Sequence, residues 1–214
     1  MEYLQQLHKI GRRSFLRLLS FAGIGGIVFP KRSAASFPLT NSRVIIVTNP
    51  LATSGSVINS PVVQFMVNGG ICSLAEIRNV GEAWKSLLPG VSSSSRIAIK
   101  VNGINSSVPT HPQVTNAVAE TLKQMMFNGS PFAENNIVIY DRTQYELQAS
   151  GYTINTGTSG VRCLATDTNG VGYSTQNYSV NGSTQKLSRI VTEMCDYLIN
   201  ISVLKNHDWA AGVT

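Results

Sequence analysis

The stretch Asp196–Thr214, with the sequence DYLINISVLKNHDWAAGVT, decides the fold class of this chain. Its apolar part, from Tyr197 to Leu204, has the length and composition of a strand that is buried on both faces of a parallel sheet. The polar cluster Lys205-Asn206-His207-Asp208 follows directly. Because open α/β sheets bind their ligands at the carboxyl ends of their strands, this cluster is predicted to belong to a functional site.

Three earlier segments repeat this pattern of an apolar run followed by polar residues. Such runs predict buried strands, and the polar residues would then share the carboxyl edge of one sheet. The segments are RVIIVT at 43–48, followed by Asn49-Pro50; RIAIKV at 96–101, with Lys100 and Asn102; and NIVIY at 136–140, followed by Asp141-Arg142.

Apolar residues between these runs recur at the spacing of a helix. Gly69-Gly70 is predicted to divide the first such stretch into two helices, and Asn128-Gly129 to end the second. Alternation of strands and helices is typical of α/β proteins, so we predict a mostly parallel, Rossmann-like open sheet with helices on both faces. The predicted helical stretches are 61–88, 112–127, 143–150 and 187–195.

A long segment rich in Gly, Thr, Asn and Ser, residues 151–184, interrupts this alternation. It is predicted to be an irregular insertion. Two short strands are expected within it, Val161–Ala165 and Gln176–Val180, as an antiparallel excursion from the sheet.

The net charge of +6 has a local cause. Six of the 17 basic side chains and one of the 11 acidic ones lie in residues 1–35, so the remainder has 11 basic and 10 acidic side chains, a net charge of +1. A nucleic-acid-binding domain carries a much stronger basic footprint. The composition therefore predicts no nucleic-acid partner.

The three cysteines, Cys72, Cys163 and Cys195, match no metal or redox spacing. We interpret them as small buried residues, although one disulfide with a remaining thiol is an alternative. The chain has no iron–sulfur cysteine motif, and its cofactor, if it has one, is not identified by the sequence.

The N-terminal residues 1–35 have the organisation of a signal peptide, with a basic region, an apolar region at 18–29 and the small residues Ser33-Ala34-Ala35. Arg12-Arg13-Ser14-Phe15-Leu16-Arg17 resembles the twin-arginine signal, which predicts the twin-arginine export machinery as a partner and a periplasmic or extracytoplasmic location. The alternative is an ordinary secretory signal or an uncleaved anchor.

The apolar region of this leader is too short, and too rich in glycine, to anchor the chain stably in a bilayer about 30 Å thick. Cleavage after Ala35 is predicted to release Ser36 onward as a single α/β domain, residues 36–214, without a stable membrane anchor.

The predicted strand ends bring several chemically capable side chains to one edge. Lys100, Arg142 and Lys205 would make a positively charged crevice that suits a small anion such as a carboxylate or phosphate. His207 and Asp141 offer acid–base or metal-ligand chemistry, and whether a metal is bound stays open. We predict His207, Lys205 and Asp141 as catalytic residues, and Lys100, Asn102, His111 and Arg142 as ligand-binding residues.

Each of these residues also has an ordinary explanation, because loops are polar and strand ends are often solvated. A lone histidine more often packs or hydrogen-bonds than catalyses. Their repetition at successive strand ends is what favours one shared site.

Five motifs together resemble the domain-of-unknown-function 362 family: RVIIVTNP, IAIKVNG, the THP at 110–112, VIYDR and LINISVLKNH, the last followed by GVT. The resemblance spans residues 43–214 and implies that Lys100, Asp141, Arg142, Lys205 and His207 match the family's motif positions. Ser202 replaces the proline usual in the family. Members usually continue past the GVT motif, which implies that this chain is an N-terminal portion. Some members are joined to a ferredoxin-type module, whose cysteines do not occur here.

Two functions follow as hypotheses. The first is an exported enzyme that acts on a small anionic substrate, with or without a metal. The second is a non-catalytic binding module, or a redox-partner subunit whose iron–sulfur cluster lies elsewhere.

Overall fold

The computed structural model describes residues 43–180 and 182–205. Over these residues the protein is a mixed α/β structure whose helices alternate with short strands. Its elements, in chain order, are β1 (Thr53–Ser54), β2 (Val57–Ile58), α1 (Ser60–Ala75), α2 (Val80–Leu87), β3 (Ile97–Lys100), α3 (Pro112–Leu122), β4 (Met126–Phe127), β5 (Ser130–Pro131), a 3-10 turn (Glu134–Asn136), β6 (Ile137–Asp141), α4 (Gln144–Ala149), β7 (Arg162–Ala165), β8 (Tyr178–Val180), β9 (Ser183–Gln185), α5 (Arg189–Glu193) and β10 (Tyr197–Asn200).

The chain divides into two compact units. One comprises residues 39–174 and 188–214 and holds the main sheet and all the described helices. The other comprises residues 1–38 and 175–187, and its described part is the antiparallel hairpin of β8 and β9. The leader, residues 1–35, lies outside the described residues.

The main sheet has four parallel strands in the order β10-β3-β6-β7. Its two central strands, β3 and β6, are buried on both faces, as their continuous apolar sequences predict. The strands predicted at 96–101 and 136–140 are therefore confirmed. The Rossmann-like arrangement of the whole sheet stays a prediction.

Two layers of side chains cover this sheet because successive residues of a strand point to opposite faces. On the first face, Ile97, Ile99 and Ile139 pack with helix residues that include Trp84, whose indole Nε1 donates to Thr121 Oγ1 at 2.9 Å. On the second face, a smaller cluster packs against α5. Its buried members are Ala98, Val138, Tyr140, Leu164, Val171 and Ile190.

The strand predicted at 43–48 does not form. Val44 and Ile46 are 78% and 83% exposed, and the segment has no strand pairing to the described sheet. It lies against α1 instead: Arg43 pairs with Glu76 at 2.6 Å, and Val47 approaches Gly70 closely. The reason is that strand propensity stabilises a strand only where a neighbouring strand supplies hydrogen bonds and packing.

The final strand is shorter and more exposed than predicted. β10 ends at Asn200 rather than Leu204, and its residues alternate between half-buried and exposed. It is the edge strand of the described sheet, and Leu198 on the second face is 49% exposed. The prediction of a strand buried on both faces is therefore wrong.

The segment at 161–165 also differs from its prediction. β7 pairs with β6 in parallel and so belongs to the main sheet, not to an antiparallel excursion. The antiparallel pairing occurs later, between β8 and β9.

Two predicted helix ends fall elsewhere. α1 runs through Gly69-Gly70 and ends at Ala75, and the C-cap residue Glu76 takes a left-handed conformation with φ 58°. Glycine lowers helix propensity by about 1 kcal/mol but does not stop a helix that packs well. α3 ends at Leu122, and Asn128-Gly129, with φ 49° and 81°, forms the turn of the β4–β5 hairpin, as this dipeptide often does.

Within residues 43–180 and 182–205, every helix is too short or too polar to cross a bilayer.

Candidate functional site

The carboxyl ends of β3 and β6 meet at one edge of the sheet because the two strands are parallel and in register, with Lys100 opposite Tyr140. A cavity of about 240 Å³ opens there. We call it the strand-end cavity. It is lined by Lys100, Asn102, Ile104, Asp141, Arg142 and Glu146.

Asp141 organises this cavity. Its side chain is 6% exposed, and its carboxylate accepts hydrogen bonds from Lys100 Nζ at 2.7 Å, from Gly103 N at 2.6 Å and from Arg142 N at 2.7 Å. The Lys100 ammonium also donates to the carbonyl of Val101. A buried carboxylate is stable only with such partners. Asp141 therefore fixes the Lys100 side chain and the start of the loop after β3.

Gly103 is required at this position by close packing rather than by an unusual φ. A Cβ there would lie 2.9 Å from Glu146 O and 2.9 Å from Ser150 Oγ. Any larger residue would push the loop after β3 away from α4 and disturb the hydrogen bond to Asp141. The sequence motif Lys-Val-Asn-Gly thus has a packing reason for its glycine.

Thr110 ties the loop after β3 to two strand ends. Its backbone N donates to Asn102 O at 2.9 Å, while its hydroxyl accepts from Asn102 N at 2.9 Å and donates to Ile201 O at 2.7 Å. The buried Thr110 therefore holds Asn102 beside the end of β10. Sequence reasoning treated this threonine only as part of a THP motif.

Arg142 pairs with Glu146, a residue that sequence reasoning missed. The Arg142 Nη2 lies 2.5 Å from Glu146 Oε1, and Thr143 Oγ1 donates to Glu146 Oε2 at 2.9 Å. Burial raises the pKa of Glu146, but the hydrogen bonds from Arg142 and Thr143 outweigh it, so the pKa is lowered overall. The spacing Thr143-x-x-Glu146 is a capping-box pattern, the signal that could have identified this glutamate.

Lys205 reaches the same edge from the segment after β10. Its Nζ lies 2.9 Å from Asn102 Oδ1 and 3.5 Å from Val108 O. Among the described residues, no carboxylate lies within ion-pairing distance of Lys205. By contrast, Lys100 and Arg142 each pair with a carboxylate, so much of the predicted positive charge is locally compensated.

His111 lies apart from the strand-end cavity. It is the exposed N-cap residue of α3, and its side chain makes no capping hydrogen bond. It lines two other cavities, of about 310 and 470 Å³. The first of them is also lined by Ile201 and Ser202. His111 therefore lies near the end of β10 but does not line the strand-end cavity.

His207 and Asp208 lie outside the described residues. In the part of the chain that the structure does describe, no three His, Cys, Asp or Glu side chains come together as metal ligands. The three cysteines are free thiols. Burial raises the pKa of the Cys163 thiol to about 12, which fits its interpretation as a small buried residue.

The fold and the cavity define a class: an α/β protein with a four-stranded parallel sheet and a polar cluster at the carboxyl ends of its strands. The family model described as "Domain of unknown function (DUF362)" matches residues 97–214. The chain belongs to this family, which confirms the resemblance seen in its motifs. The match begins at the first residue of β3 and leaves out the segment at 43–48. No curated protein and no solved structure matches the chain.

Proposed function

We propose that this protein binds a small anion at the carboxyl edge of its parallel sheet, with Lys205 as the cation that meets the ligand. The observation that carries this proposal is the Lys205 ammonium, held 2.9 Å from Asn102 Oδ1 without a carboxylate partner among the described residues. A cation with only neutral partners is available to a ligand, whereas Lys100 and Arg142 are already paired.

The dimensions of the strand-end cavity support a small ligand. Its volume of about 240 Å³ is below the range of roughly 300–1,000 Å³ typical of drug-sized ligands. Asn102 joins the two parts of the proposed site because it both lines this cavity and accepts from Lys205. Asp141 would hold Lys100 in place, so that Lys100 lines the cavity as a charge-compensated donor while Lys205 supplies the uncompensated charge.

In the catalytic form of this proposal, His207 would transfer protons, since it follows Lys205 by two residues and an imidazole changes charge near neutral pH. The alternative is a non-catalytic binding module or a redox-partner subunit. The compensation of Lys100 by Asp141 and of Arg142 by Glu146 favours binding, because these pairs leave fewer groups free for chemistry.

Calorimetric titration of the purified chain with inorganic phosphate and with malonate tests the proposal. We expect Lys205→Met to weaken binding of the preferred anion at least about tenfold, which corresponds to about 1.4 kcal/mol. Lys186→Met, at an exposed lysine of the β8–β9 unit, is the matched control and should leave the affinity unchanged. Equal affinities for wild type and Lys205→Met would contradict the proposal.

Activity measurements distinguish the catalytic form of the proposal from the non-catalytic one. If the anion is a substrate, His207→Ala should abolish turnover while the anion still binds. If anion affinity persists and no turnover of phosphate esters or carboxylic acids is found in wild type, the binding module is favoured.

We further propose that the protein is exported by the twin-arginine route, on the basis of Arg12-Arg13 and the residues that follow them. The variant Arg12→Lys/Arg13→Lys should leave the precursor in the cytoplasm, as seen by cell fractionation. Lys9→Arg is the control and should be exported normally. Continued export of the double variant would refute this route.

A further inference from the structure

A second polar cavity, of about 510 Å³, lies away from the strand-end cavity. We call it the β7 cavity, because β7 supplies its central residues. Within the described part of the chain, it shares no lining residue with the strand-end cavity. It is lined by Gln144, Thr156, Arg162, Leu164, Thr168, Asn169, Gly170, Val171 and Met194.

The register of the sheet explains why an arginine lies here. Arg162 is opposite Val138 in the β6–β7 pairing, and Leu164 is opposite Tyr140. Val138 and Tyr140 have their side chains on the second face. Because paired residues share a face, the side chains of Arg162 and Leu164 lie on the second face too. Val171 and Met194 pack in the same cluster, which gives the β7 cavity an apolar wall next to a cation.

Arg162 is a half-buried residue, and its guanidinium makes no hydrogen bond or ion pair with any described residue. This distinguishes it from the other arginines of the main unit that lie near the sheet. Arg96 bonds Asp196, Arg142 bonds Glu146, and Arg189 bonds Glu193. A half-buried cation with no partner among the described residues keeps donors that the protein does not occupy and that an anion can accept.

The other groups around Arg162 are neutral donors or apolar. Among the residues that the structure describes, no carboxylate lines the β7 cavity, and the nearby Asp167 accepts instead from the backbone N of Gln144 at 2.9 Å. Arg189 lies next to this cavity, since its Nη1 donates to Val171 O at 3.2 Å, but its charge is already paired with Glu193, so Arg162 supplies the uncompensated charge. Thus the charge of the β7 cavity favours an anion, and its apolar wall favours a hydrocarbon portion beside it.

We propose that the β7 cavity binds a small molecule with an anionic head group and a short apolar body, the head group on the Arg162 guanidinium and the body against Leu164, Val171 and Met194. Arginine suits a carboxylate or phosphate head because its planar fork can donate two parallel hydrogen bonds. This site is independent of the anion proposed at Lys205.

Titration of the full chain with hexanoate, acetate and inorganic phosphate tests this proposal. Hexanoate should bind at least about fivefold more tightly than acetate, because only hexanoate has an apolar body to bury. Arg162→Met should weaken hexanoate binding at least about tenfold, and Arg162→Lys less. Equal hexanoate affinity for wild type and Arg162→Met, or no hexanoate binding to wild type, would overturn the proposal.

Two further variants keep the test decisive if Arg162→Met fails to fold. Asn169→Asp places a carboxylate at an exposed position of the β7 cavity with almost no change of shape and should weaken hexanoate binding. Arg78→Met, at an exposed arginine that does not line the cavity, should bind as wild type does. Lys205→Met should also leave hexanoate affinity unchanged, and a loss there would show that the anion binds at the strand-end cavity instead.

Discussion

RVIIVT at 43–48 and RIAIKV at 96–101 are similar hexapeptides that adopt different structures. The first has more β-branched residues, yet it forms no strand, and Ile46 is 83% exposed. The second forms β3, in the middle of the sheet, where Ile97 and Ile99 are fully buried. The apolar pattern alone therefore does not decide which run becomes a strand.

The difference lies in the neighbours. β3 pairs with β10 on one side and β6 on the other, so its backbone groups are satisfied and both its faces are covered. Residues 43–48 lie against α1, where Val47 approaches Gly70 and Arg43 pairs with Glu76. Strand propensity is a measure of fit to a pleated, partly buried surface, and only β3 is given such a surface.

The largest expected effect comes from placing a carboxylate in each run. Ile99→Asp should destabilise the protein by more than about 4 kcal/mol, since it adds an unpaired charge to the loss of a buried side chain. Ile46→Asp should change stability by less than about 0.5 kcal/mol, as exposed substitutions do. Urea unfolding followed by circular dichroism measures both, and equal losses would mean that 43–48 is buried in the folded protein.

Removing a charged partner should also cost more stability at β3 than at residues 43–48. Asp141→Asn leaves Lys100, at the end of β3, without its charged partner and should cost roughly 2–3 kcal/mol, because Asp141 is buried. Arg43→Met breaks the exposed pair with Glu76 and should cost less than about 1 kcal/mol. A smaller loss for Asp141→Asn than for Arg43→Met, in the same unfolding measurement, would reverse this ranking.

A carboxylate in the edge strand β10 should cause a loss of stability between those expected for the two runs. Ile199→Asp is expected to destabilise the protein by about 1–2 kcal/mol, because Ile199 is half-buried against the first face only. Leu198→Asp, its neighbour on the more open face, is the control and should cost less than about 0.5 kcal/mol. If both variants melt at the wild-type temperature, β10 is not part of a stable sheet.

The smallest expected effect is on how the free energy of unfolding depends on pH. Glu146 has a lowered pKa in the folded protein, so it contributes stability above its unfolded pKa, about 4.3, and loses it as the pH falls through the folded value. Between about pH 5 and pH 3 the unfolding free energy of wild type should therefore fall more than that of Glu146→Gln.

Glu193→Gln, at an exposed pair, is the control for this measurement and should keep the wild-type slope. Identical slopes for wild type and Glu146→Gln would show that the pair with Arg142 contributes nothing to acid stability.

That Lys100, Asn102, Asp141 and Lys205 lie close together could be predicted from the sequence, but how their side chains pair could not. Lys100 and Asp141 are adjacent, and Lys205 joins them through Asn102, as expected for the ends of parallel strands. Glu146 was missed because it lies in the helix α4 rather than at a strand end, and only its side chain reaches Arg142. His111 was expected with Lys100, but it occupies the N-cap position of α3 and lines other cavities.

The sequence by itself determined the class of fold, the two central strands and the family. Apolar runs and apolar residues at helical spacing are local properties of the sequence. They can be recognised without knowing which distant residues will be their neighbours. Only the tertiary structure decided that 43–48 stays outside the sheet, that β10 is an edge, and that Lys100 and Arg142 are paired while Lys205 has neutral partners. Those outcomes depend on which distant residues meet, and neither propensity nor spacing encodes that choice.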